Sequence, residues 1–165
     1  MSRRARTRFD RRVIVNPVAV AIEGAQRLRP EVRADIQRIV DQALARFRSG
    51  DDCHAQWRNM ADALNTAEAL ARIGIASDQD SRDRIDAAQR VLADVIERHT
   101  QRGSWTLHGP ELQALDLGLW VFGVQLDHCS LNELERARRD CTERIRQARA
   151  GNAPAGARVV ESRAA

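Results

Sequence analysis

With 165 residues, 43% of them hydrophobic and 30% charged, the chain is expected to form one domain able to bury a core without a metal or disulfide. No apolar run approaches the ~18 residues of a membrane span. The N-terminus MSRRARTRFDRR lacks a signal peptide's apolar stretch, and the three cysteines (Cys53, Cys129, Cys141) form no CxxC, which together predict reduced thiols in a cytoplasmic protein.

All 27 basic residues are arginine, as a GC-rich genome would produce by default, so their position says more than their number. Residues 1–12 hold six of them against Asp10, a net of +5. The formal total is +4, so the remaining residues sum to −1. The basic character lies in a short arm, read as disordered. Phe9 and the run Val13–Ile14–Val15 follow, able to meet a partner, close a homodimer or pack across the chain's own helices.

Helix signals then recur, with almost no strand alternation. Asn16-Pro17 reads as an N-cap and a first-turn proline opening a short helix with Val18, Ala21, Ile22, Ala25 and Leu28 at helical spacing. Pro30 opens a second helix along Val32, Ile36, Ile39, Val40, Ala43, Leu44 and Phe47, ended by the break at 49–52. The third, from Cys53 to Ile73, uses Trp57, Met60, Ala61, Leu64 and Leu70, and six alanines between 55 and 71 admit a close neighbour. After a turn at 74–81, a fourth helix runs to about His99 with Ile85, Ala88, Leu92, Val95 and Ile96 inward, closed by Gly103.

The stretch GSWTLHGPELQALDLGLW then poses a choice, because Ser104, His108 and Asp116 share it with two tryptophans. A hydrolytic triad needs a nucleophile presented on a strained elbow such as GxSxG, and none occurs. Gly109-Pro110-Glu111 instead reads as a helix start, with Trp105 folding back as a loop residue and His108 beside the helix N-terminus. Leu112, Leu115, Leu119, Phe122 and Leu126 form one apolar row, and Leu117, Trp120, Val121 and Val124 fill the adjoining face. That pattern predicts a central helix at 110–128, covered all round. Ser130 and Glu133 spell a capping box for the last helix. Its inward residues are Leu134, Ala137, Cys141, Ile145 and Ala148, and its outward face carries Arg136, Arg138, Arg139, Arg144 and Arg146 among acids. The tail at 151–165 reads as disordered. The expected fold is all-α: an antiparallel helical bundle of five main helices plus the short N-terminal one, with the bundle domain at 13–150 and the arm at 1–12.

Chemistry-bearing patterns are sparse. His54 adjoins Cys53 and His128 adjoins Cys129, but neither pair has zinc-ligand spacing, and Cys129 and Cys141 are about 15 Å apart at 1.5 Å per helical residue. Nine glycines make no phosphate-cradling motif. No catalytic residue, metal or cofactor is expected. One feature, the arm, is able to carry a function outright, its other reading being a solvated, disordered N-terminus. Arg3, Arg4, Arg6, Arg8, Arg11 and Arg12 are the candidate nucleic-acid contacts, neutralising phosphates without reading sequence.

The segments RRVIVNPVAVAIEGAQRL, WRNMADALNTAEALARIGIA and RGSWTLHGPELQALDLGLWVFGVQLDHCSLNELERA, over about residues 12–145, resemble a group of small helical proteins carried by bacteriophages, prophages and mobile elements of Gram-negative bacteria. The resemblance implies an accessory protein of a phage or mobile element and brings no site residues with it. The expected function is non-enzymatic: binding a protein partner through the helical surface, with homodimerisation open. The alternative is nucleic-acid binding through the arginine arm.

Overall fold

A computed structural model describes residues 17–50 and 53–151; the expected arm, the Asn16 cap, Val13–Val15 and the tail from residue 152 lie outside them. Among the described residues the chain is helical and has no strand. Its helices are α1 (Pro17–Ala25), α2 (Pro30–Ser49), α3 (Cys53–Arg72), α4 (Gln79–Arg102), α5 (Gly109–His128) and α6 (Leu131–Arg149).

The punctuation is local chemistry. α2 ends at Gly50, whose φ of 82° lies in the left-handed region that an L side chain resists. α4 begins at Asp78, whose carboxylate accepts the Ser81 hydroxyl at 2.7 Å and the Ser81 N–H at 2.9 Å and is thereby held below its ordinary pKa. It runs three residues past His99 before Gly103 closes it at φ 67°. At α6 the capping box forms as expected. Glu133 accepts the Ser130 N–H at 2.7 Å and the Ser130 hydroxyl accepts the Glu133 N–H at 3.3 Å.

The helix at the centre is α3, which packs against α2, α4, α5 and α6. Trp57, Met60, Leu64 and Leu70 are buried on it, and Ala61, Ala63, Ala67, Ala69 and Ala71 let the neighbouring backbones close in. Trp57 keeps its one polar atom satisfied by donating to the Leu92 carbonyl at 2.8 Å.

The expectation of a central 110–128 helix is corrected. Leu115, Leu119, Val121, Phe122 and Leu126 of α5 are buried, but Trp120 is 59% and Leu117 38% exposed. The reason is coverage: α4 and α3 shield most of α5, α2 touches it lightly, and one stripe stays outside. Two smaller corrections have the same cause. Val32 and Ile39 of α2 stand in solvent, and on α1 Val18, Ala21, Ile22 and Ala25 are exposed while Gly24 is buried. α1 is nine residues long and packs against α6, with Gly24 facing the Asn132 side chain so closely that a Cβ there would clash.

The last correction is Arg144, expected on the outer face of α6. It is buried at 6%, and its two terminal nitrogens donate to the Glu68 carboxylate at 3.0 and 2.9 Å. Those bonds, working against burial, push the guanidinium pKa up. Two buried amides join the polar interior. Gln89 donates to Asn65 at 3.2 Å and to Glu68 at 3.4 Å, while Gln125 donates to the carbonyls of Ala67 and Ile75, each at 3.0 Å.

Candidate binding surface on helix α5

The stretch that raised the question of a triad resolves into a helix start. Ser104 bonds Thr106 at 3.1 Å, the His108 backbone N–H donates to Glu111 at 2.8 Å, and Asp116 accepts two bonds from Arg48 at 2.6 and 2.7 Å. Among the described residues no hydrogen bond joins any two of Ser104, His108 and Asp116. Trp105 folds back, stacking on His99 at 3.9 Å and meeting Phe47 edge-on at 5.7 Å. Arg98 locks the loop by donating to the Thr106 carbonyl and to Glu111. Burial raises the Glu111 pKa, but the Arg98 bond and the His108 N–H outweigh it and hold the carboxyl below its ordinary value.

All three cysteines are buried, and burial pushes the thiols of Cys129 and Cys141 each up to about 11, so neither offers a thiolate near neutral pH. Among the described residues no group of three or more His, Cys, Asp or Glu side chains gathers to hold a metal ion. Burial also raises the pKa of the Asp62 carboxyl, and there it prevails over the pull of Arg58 and Arg138. Its groove between α2, α3 and α6 adds Asn59, Asn65, Thr66, Thr142, Arg138 and the raised thiol of Cys141, but no second carboxyl and no histidine.

The outer stripe of α5 is different in kind. Leu117, Trp120 and Val124 follow one another at three- and four-residue steps, so their side chains share one face of a rigid helix. The Arg84 guanidinium lies 5.8 Å from the centre of the Trp120 ring and is itself held by Asp80 at 2.8 Å. Beside the ring runs a shallow groove of about 320 Å³, lined by Arg33, Gln37, Trp120, Gly123, Val124 and Asp127. Gly123 keeps the groove floor low, since a Cβ there would come within 2.9 Å of the Gln37 side-chain oxygen. Arg48 with Asp116 and Arg33 with Asp127 frame the stripe as neutral ion pairs tying α2 to α5. The result is an apolar centre with a charge-balanced polar rim.

The apolar spacing places Trp120 on a buried face, and it is exposed. The available signal was Gln113, Asp116, Trp120 and Asp127, which are polar or amphipathic and fall along one side of the helix. The candidate arginines Arg3, Arg4, Arg6, Arg8, Arg11 and Arg12 lie outside the described residues. Among the described residues no helix is long and apolar enough to cross a membrane. Compared with known proteins, the chain matches no family model, no curated sequence and no solved structure.

Proposed function

We propose that the chain is a non-enzymatic binding protein that engages a protein partner through the α5 face centred on Trp120. The observation that carries this reading is a tryptophan 59% exposed in the middle of an apolar stripe on a well-packed helix. Leaving so large a ring in water forgoes a burial gain of roughly 1.5–3 kcal/mol, which a covering partner would recover. The scaffold is an antiparallel bundle of α2–α6 with the short α1 against one end. The sequence resemblance supports a role as a cytoplasmic accessory or regulatory protein of a phage or mobile element, working without a cofactor.

The test is site-specific photocrosslinking in the native host from positions 117, 120 and 124, with Arg139 on α6 as control, followed by affinity measurement with the protein captured. Crosslinks confined to α5 and at least a tenfold weaker complex for Trp120→Ala are expected, the size of an interface hot spot. Equal crosslinking from Arg139, or unchanged affinity in the variant, would overturn the reading. Nucleic-acid binding through Arg3–Arg12 is the competing function, and a salt series separates the two.

A further inference from the structure

Between α3 and α4 lies an open cleft of about 640 Å³ whose charged and polar walls are Glu68, Arg72, Arg82, Asp86 and Gln89. Behind it sits the most polar part of the interior, where Asn65, Gln89 and Arg144 are 1%, 3% and 6% exposed. Burying such groups is costly unless they are paired, and a leucine would fill the same space more cheaply. What the buried polar groups accomplish is visible in the partners they take.

Both oxygens of Glu68 are occupied by Arg144, and one also accepts from Gln89, so the carboxylate lining the cleft is neutralised from the interior side. Asp86, the other acid in the wall, is held by Arg90 one turn along α4. Asp80, on the preceding turn, is held by Arg84 at 2.8 Å. The two remaining charged groups of the wall are cations. Arg72 has only a 4.0 Å approach to Asp140, which also lies 3.6 Å from the Arg144 guanidinium. Among the described residues Arg82 has no carboxylate within ion-pair distance. It is the fourth residue of α4 and lines the cleft with an exposed side chain.

We infer that this cleft binds an oxyanion, a phosphate or carboxylate group of a small molecule, clamped between the guanidiniums of Arg72 and Arg82. Planar guanidinium forks match the paired oxygens of either group, and the buried Arg144–Glu68 pair is what stops the acidic wall from repelling it. Arg144 is thus a positioning residue acting through Glu68. The inference is independent of the α5 surface, which lies on other residues.

The test is titration of the full chain, followed by amide and arginine Nε resonances, with inorganic phosphate in one arm, citrate in a second and sodium chloride of matched ionic strength in a third. Saturable shifts confined to residues 68–72 and 82–89 are expected with phosphate, citrate or both, and which of them saturates assigns the oxyanion. Arg82→Gln, an exposed change that should leave melting unchanged, is expected to weaken binding at least tenfold, while Arg139→Gln on the outer face of α6 leaves it intact. The inference is overturned by shifts that chloride reproduces, by no saturable response to either anion, or by equal binding in Arg82→Gln.

Discussion

Trp105 and Trp120 lie 15 positions apart in one continuous stretch, and their surroundings set them to opposite uses. Trp105 packs, partly buried, against Phe47, His54 and His99, whereas Trp120 stands out over Arg84. Leu119, next to it in sequence, is 4% exposed. Adjacent positions on one helix therefore predict contrasting costs. In denaturant unfolding, Leu119→Ala is expected to lose about 2–5 kcal/mol through the cavity it leaves. Trp120→Ala should stay within ~0.5 kcal/mol of the parent while losing partner affinity. A small loss for Leu119→Ala would place that face of α5 in solvent. The cysteines give a second residue-scale expectation. With thiols raised to about 11, Cys129 and Cys141 should resist alkylation at pH 8 in the native protein and react readily once it is unfolded. Rapid native labelling at either position would mean that its burial is wrong. Leu119 was legible from periodicity alone. Trp120 was not, because a helical pattern records which residues are apolar and leaves open which neighbours arrive to cover them.

At the scale of elements, α4 crosses closely on α5 where Gly118 meets Ala88. A Cβ on Gly118 would come within 2.4 Å of the Ala88 Cβ and 3.1 Å of the Arg84 carbonyl oxygen. Gly118→Ala is therefore expected to destabilise by about 1–3 kcal/mol despite alanine's higher helix propensity. Gly109→Ala, with nothing within 4 Å of the added methyl, should change little, and equal melting of the two variants would refute the close crossing. The loop joining these helices carries a pH signature. Because Glu111 is held below its ordinary pKa of 4.5 in the fold, its contribution is complete above that value and lost as pH falls through the lower folded one. Glu111→Gln should thus cost roughly 1.5–3 kcal/mol at pH 7 and flatten the acid limb of the stability profile. A parallel downward shift of the whole profile would argue against the Arg98 clamp. The caps at Ser130 and Gly103 were readable in advance because they rest on residues a few positions apart. Gly118 carried no such mark, since its reason lies on another helix.

For the whole molecule, the division between a basic arm and a near-neutral remainder frames the functional choice. If the arm at Arg3–Arg12 acts on nucleic acid, a variant lacking residues 2–12 loses that binding, and the affinity of the full chain falls steeply with salt. If the α5 face acts on a protein, the same deletion leaves the complex intact and Trp120→Ala breaks it. Affinity for DNA and RNA measured over a salt series on both chains decides between them. The helical class, the helix ends and most of the buried apolar positions follow from the sequence by itself, because propensity, capping and 3.6-residue periodicity act over one or two turns. Four matters were settled only by the tertiary structure: that α3 rather than α5 is enclosed, that Arg144 turns inward to Glu68, that Gly118 receives Ala88, and that Trp120 is left uncovered. Each depends on which helices meet across long separations in the chain, and burial is a property of that meeting rather than of any helix alone.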